Sequence, residues 1–211
     1  MITSVIHRGS DIIIRLSDTA MALASTVDGG LRNSIRYVIH HQVPKDFNKD
    51  PLMEVMEVHK RHAMNTNETI TFLTATELPR NHTIHRETMG QVETWVSITM
   101  GLSNPYKMSN GDLTYSPAAP STINTAIIIN KALTIQAMID AITLTAQVKA
   151  LTFDRLVGIH GTTSDAIAVI APTNDEPEPY AGPATTVGRA IVRAVYNALI
   201  MAYNKYLLNK E

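Results

Sequence analysis

Cysteine is absent from the 211 residues. That excludes a disulfide framework and any thiolate metal site, and it fits a reducing compartment, so a cytoplasmic location is expected. A charge excess is absent too: 18 Lys and Arg stand against 19 Asp and Glu. Surfaces built for nucleic acid or anionic membrane carry a basic surplus, so neither partner is expected. No apolar run is both long and free of charge. The greasiest region, 123–156, is broken by Lys131, Asp140, Lys149 and Asp154, whereas a bilayer span needs about 20 mainly apolar residues. The opening stretch MITSVIHRGSDIII lacks the apolar centre of a secretion signal. There is no G-x-S-x-G elbow, which removes the commonest serine-hydrolase pattern. "GTTSD" at 161–165 lacks the lysine and spacing of a phosphate-binding loop. No internal repeat is visible.

The chain is 45% hydrophobic, enough for one substantial core. Residues 11–16 alternate, with Ile12, Ile14 and Leu16 on one face and Ile13 and Arg15 on the other. Further strands are expected at 20–25, 33–43, 69–76, 91–100 and 123–130. Pro51 to about His62 reads as a short helix capped by Asp50. Residues 104–120 read as one long loop holding Asn104-Pro105, Asn110-Gly111 and SPAAPS. The helix expected at 133–156 carries two apolar stripes. Leu133, Ala137, Ala141, Leu144, Val148 and Leu151 form one; Ile135, Ile139, Ile142, Ala146, Ala150 and Phe153 form the other. Two stripes imply cover on both sides, from a sheet and from another helix or subunit, so a homo-oligomer is expected. Residues 165–171 are apolar on both faces, as in a central strand. A final helix capped by Thr185 or Thr186 runs to about Leu208. Strands first, then helix, strand, helix: the order predicts a single α+β domain over 1–211 with a mixed or antiparallel sheet.

His59 and His62 lie three apart on the short helix, a spacing that could hold a metal, but no third ligand is evident, and Lys60 and Arg61 beside them suggest a solvated face. No metal site is expected. His40 and His41 are adjacent in a strand and so point to opposite faces; His41 reads as a core-edge residue. Lys149 reads first as a surface lysine with its stem laid on the helix. The turn "GTTSD" stands before Ala166–Ala171, placing hydroxyls and a carboxylate at the mouth of a buried strand. Turn chemistry alone accounts for such a pattern as readily as an active site does.

"GTTSDAIAVIAP", a short acidic linker and "YAGPATTVGRAIVRAVYNAL" resemble the C-terminal signature of the archaeal adenosylcobinamide amidohydrolase family. Three upstream stretches resemble that family as well and occur in its order: "LASTVDGGLRNSIRYVIHHQVP", "TMGLSNP" and "STINTAIIINKALTIQAMIDAITLTAQVKAL". Together they cover about residues 20–200. The chain departs from the family pattern at Asp28, where Asn is usual, at Ser121 for Gly and at Ser164 for Thr, and His160 is not part of the pattern. The resemblance implies hydrolysis of the amide that joins aminopropanol to a corrin side chain, releasing adenosylcobyric acid. The partner is then a corrinoid small molecule whose cobalt belongs to the substrate, and no resident cofactor is expected. Amide hydrolysis needs an activated water or nucleophile and a site for the oxyanion. The candidate catalytic residues are Asp165, Ser164, Thr162 and Lys149: Asp165 to orient or deprotonate water, Ser164 or Thr162 to attack or to bind the amide. Asp28, Gly29, Gly30, Asn104, Asn124 and Gly161 are the candidate substrate-binding residues, the glycines through backbone N–H groups and the asparagines through amides that donate and accept. Alternatives are a corrinoid-binding protein without turnover and a hydrolase of an unrelated amide. A capping aspartate would tolerate Asn, whereas a catalytic one would not: Asp165→Asn is expected to stay folded within a few degrees of wild type, to bind cobinamide still, and to lose at least about a hundredfold in turnover.

Overall fold

The computed structural model describes residues 1–116 and 120–209; Pro117, Ala118 and Ala119 of the expected 104–120 loop lie outside the described residues. The elements in chain order are β1 (Ile2–Arg8), β2 (Asp11–Ala24), β3 (Gly30–Gln42), α1 (Pro51–Arg61), β4 (Thr69–Thr74), β5 (His82–Met89), β6 (Val92–Met100), β7 (Pro105–Ser109), β8 (Asp112–Tyr115), β9 (Ile123–Ile129), α2 (Ile135–Val157), β10 (Gly161–Thr162), β11 (Ala166–Pro172) and α3 (Thr186–Leu208). The main sheet runs β4-β3-β2-β11-β9-β6-β5, with β1 also paired to β2. Pairs β3/β4 and β9/β11 are parallel and the others antiparallel. This is the expected mixed α+β architecture, and β11 is the expected interior strand.

The stretches 11–16 and 20–25 are one strand rather than two. The pairing of β2 with β3 slips between Arg15 and Ala22. Such irregularities bend a strand and sharpen its twist, and here they let the sheet roll over on itself. His40 on β3 thereby reaches Ser97 on β6 at 2.9 Å. Asn124 on β9 donates to the Leu73 carbonyl on β4 at 2.8 Å. Strand alternation then sorts the core residues to the two faces of the sheet, with a small separate cluster of Ile13, Ile39 and Val58 where α1 packs. Ile14, Leu16, Val38, Ile70, Phe72, Ile128 and Ile170 line the inside of the roll. Val96, Ile98, Ile127 and Val169 face outward and are covered by α2 and α3.

Each helix has a side-chain N-cap: Asp50, Thr134 and Thr185. The α3 stripe Val187, Ile191, Val195 and Leu199 is at most 2% exposed, each side chain contributing roughly 1.5–3 kcal/mol by burial. On α2 the first stripe is covered within the chain as far as Val148, its last member Leu151 being 60% exposed, while the second is covered unevenly. Leu133, Ala137, Ala141, Leu144 and Val148 are buried, but Ile135 is 43% and Ile139 53% exposed. Phe153 is the exception in the second stripe, fully buried against Tyr203. The segment expected as one loop contains the hairpin β7–β8, because Asn110 and Gly111 take φ +53° and +85°, as a two-residue hairpin turn requires. Hairpin and β10 form a small second sheet. Among the described residues no helix is long and apolar enough to cross a membrane.

Candidate active site

The GTTSD turn joins β10 to β11, and Asp165 folds back into it. Oδ1 accepts from the Ile123 amide at 2.8 Å and from the Thr162 hydroxyl; Oδ2 accepts from the Thr162 amide at 3.0 Å and from Lys149 Nζ at 2.5 Å. The Lys149 and Asp165 side chains are 8% and 7% exposed. Lys149 is therefore half of a buried ion pair, not a surface lysine. Its helix face is polar but buried: Thr145 and Thr152, one turn to either side, return their hydroxyls to the carbonyls of Ala141 and Val148, and the ammonium extends to the carboxylate. Gly161 makes the approach possible. A Cβ there would lie 2.5 Å from Asp165 Oδ2 and 3.3 Å from Lys149 Nζ. Burial, with the Asp165 carboxylate adding to it, pushes the nearby Tyr106 phenol above its ordinary range.

Beside the turn lies a cavity of about 310 Å³. Its wall takes Ser25 and Val27 from the β2–β3 hairpin tip, Phe72 from β4, Asn124 from β9, and Ser164 and Asp165. Phe47 and Pro51, leading into α1, close another side. Ser164 is exposed, as is Ser25 in the same wall, and donates to the Ser121 carbonyl at 3.2 Å. Thr162 is 2% exposed.

Of the other expected residues, Asn124 lines the cavity and the rest sit around it. Asp28 is buried under the hairpin tip, where its carboxylate accepts from the Thr71 amide at 3.1 and 3.2 Å and from Thr26 Oγ1 at 2.9 Å. Burial raises its pKa, its hydrogen bonds opposing. Gly29 makes the tight turn, since a Cβ there would strike the Ala24 carbonyl; Gly30 leaves the turn with φ +78°. Asn124 lines the cavity, but its amide is engaged at both ends, with Leu73 O and with Thr122 Oγ1 at 2.7 Å. Asn104 stands behind the turn, accepting from Ser121 Oγ at 2.6 Å and donating to Thr163 Oγ1 at 2.7 Å. His160 accepts from the Met108 amide at 2.9 Å and so pins the β7–β8 hairpin to the end of α2.

The histidines follow strand parity, and their burial was not evident from their spacing. His40 faces inward, stacks on Phe72 with ring centroids 4.9 Å apart, and shares Ser97 Oγ with His82, whose Nε2 lies at 2.8 Å. Burial drives the pKa of His40 well down and that of His82 to about 4, each aided by a neighbouring positive group. His41 faces the other way, between Asp11 and Glu54, while His62 binds the other Asp11 oxygen at 2.5 Å. Burial of Asp11 pushes its carboxyl up, but hydrogen bonds and charge from both histidines outweigh this and hold it low. The solvated face expected for His59 and His62 is not found. His59 is 1% exposed and bonds Thr71 Oγ1 at 2.7 Å, and the two rings go to different partners. These ties dock α1, and with it Pro51, on the sheet. Among the described residues no group of three or more His, Asp or Glu is arranged to hold a metal.

The fold is a rolled α+β sheet with a small cavity whose wall carries the Ser164 hydroxyl and the Asp165 carboxylate, the latter paired with the buried Lys149, an arrangement of the class that can bind a small molecule and exchange a proton with it. The sequence places it more closely. The chain belongs to the adenosylcobinamide amidohydrolase family, whose profile matches residues 2–210. It is similar to a Halobacterium salinarum protein named adenosylcobinamide amidohydrolase, with 36% identity over 109 residues. That stretch is 49% of this chain and 47% of the relative, so the match spans about half of each.

Proposed function

We propose that the protein hydrolyses adenosylcobinamide at the amide joining aminopropanol to a corrin side chain, in corrinoid salvage. One observation carries the reading beyond family membership. Segments at 25–27, 124 and 164–166, far apart in sequence, meet at one cavity whose wall includes Asp165, and Lys149 holds that carboxylate from behind. In the reaction, a water oxygen adds to the amide carbonyl carbon, the C–N bond breaks, and the leaving nitrogen gains a proton. Asp165 takes the proton from the attacking water and passes it to the amine; were Ser164 the nucleophile, the same proton transfer would leave an ester on Ser164, which water then hydrolyses to the acid and the free hydroxyl. All four acceptor positions of Asp165 are engaged. The Thr162 hydroxyl is the donor that rotates most freely, and it yields when water approaches. Lys149 compensates the negative charge of the intermediate. The cobalt remains with the substrate.

The enzyme acts in the cytoplasm, a location its lack of cysteine supports. It works as a homo-oligomer, with the exposed Ile135 and Ile139 face of α2 covered by a second copy.

The test is incubation of the purified protein with adenosylcobinamide, followed by chromatography for adenosylcobyric acid and aminopropanol. Both products should appear in equal amounts. Tight binding without product would make this a corrinoid-binding protein, and turnover of simple amides alone would make it a different hydrolase.

A further inference from the structure

The cavity beside Asp165, about 310 Å³, sits at the lower end of small-molecule sites, roughly 300–1,000 Å³. It suits one amide arm of a macrocycle, not the macrocycle. The rest of a corrinoid must lie against neighbouring surface. A second cavity of about 450 Å³ lies across the Ser121–Asn124 segment. Ser121 joins the two: its side chain lines the second cavity, and its carbonyl accepts from Ser164 in the wall of the first.

The second cavity has polar groups set among apolar ones and uses sequence stretches that the hydrolytic site leaves idle. Gln42 comes from the end of β3, Lys45 from the following loop, Thr76 from beyond β4, and Gly101 and Ser103 from the GLS stretch. Gln42 Oε1 accepts from the Leu78 amide at 2.8 Å, which fixes the side chain and leaves its NH₂ group as a donor. Lys45 is exposed and lies in no ion pair among the described residues. Gly101 keeps the floor open, since a Cβ there would come within 2.9 Å of Ser121 Cβ. A fixed amide donor and an unpaired ammonium at one cavity recognise carbonyl oxygen.

We infer that this second cavity is a specificity subsite that takes another carboxamide arm of the same corrinoid, with Lys45 and Gln42 donating to its carbonyl. This rests on the proposed activity. It explains how a small reaction cavity selects a large substrate: two arms of one macrocycle are held on either side of Ser121.

The experiment compares wild type, Lys45→Ala and Gln42→Glu. The second change keeps the acceptor that holds Leu78 and deletes the donor. Each should raise KM for adenosylcobinamide at least about fivefold, the worth of one hydrogen bond, while kcat stays within about twofold. Lys60→Ala, the same charge change on the outer side of α1, should leave KM unaltered. KM unchanged in both subsite variants would overturn the inference while the activity stands. Should the wild type release no aminopropanol, the proposed activity has failed. Equilibrium dialysis of adenosylcobinamide against wild type and Lys45→Ala then decides the subsite by itself: weaker binding by the variant supports it, and equal binding or none overturns it.

Discussion

Replacing Asp165 by Asn tests the site and the fold together. Judged from the sequence, the change is nearly isosteric and mild. The structure makes it severe, because it leaves the Lys149 ammonium, in a side chain 8% exposed, without its carboxylate. Removing one partner of a buried pair costs about 3–5 kcal/mol. For a chain of this size, each kcal/mol shifts Tm by roughly 2–4 °C, so Tm should fall by roughly 6–20 °C. Lys149→Met should cost a similar amount by the reverse route. The double variant carries no stranded charge, and its loss should fall below the sum of the singles by at least about 1.5 kcal/mol. Activity should behave differently. If Asp165 moves the proton, kcat falls at least about a hundredfold in Asp165→Asn and stays down in the double variant, however stable that is. Urea unfolding measured beside adenosylcobinamide turnover gives both quantities. Additive stability losses would refute the buried pair. A double variant with near-normal turnover would remove Asp165 and Lys149 from the chemistry and leave GTTSD a turn.

Gly161→Ala should lower both stability and turnover, since its Cβ would sit 2.5 Å from Asp165 Oδ2; wild-type activity would mean that the turn can shift without cost. Acid should destabilise the fold between pH 6.5 and 4. His82, lowered from 6.5 to about 4, binds its proton more tightly when unfolded, so its contribution is complete above pH 6.5 and is lost as pH falls. The contribution is on the order of 3 kcal/mol; His82→Gln should flatten the urea-midpoint profile over that range, and an unchanged slope would refute the assignment. Ile139→Lys places a charge on the exposed stripe of α2 and should convert an oligomer to monomer in sedimentation without loss of Tm; an unchanged sedimentation coefficient would remove that face from the interface.

The parts of the fold legible in the sequence are those governed by local rules. The capping residues Asp50 and Thr185 mark true helix starts, and the doubly apolar run 166–171 is the interior strand. The strands β1, β5, β7 and β8 are polar on much of their length. Alternation reports burial on one face, and edge or two-stranded pieces have little burial to report. At the site, the GTTSD turn was legible as a polar cluster, but Lys149 was not legible as its partner. A lysine on a helix reads as solvated unless one knows that its face is turned to the sheet, and that is a tertiary fact.

The roll of the sheet explains the rest. Alternation in β3 assigns His40 and His41 to opposite faces, which is correct, yet it gives no sign that both faces are covered. An open sheet would leave one of them at the surface. The irregular pairing of β2 with β3 between Arg15 and Ala22 brings β4 and β9 together. Phe72 and Asn124 thereby reach the same cavity as the hairpin tip at 25–27. By sheet order β3 and β6 are the ends of a run of five strands, counting both, so no window along the chain could pair His40 with Ser97. The same bend that buries the histidines therefore builds the cavity, and a substitution that straightens β2 would open both at once.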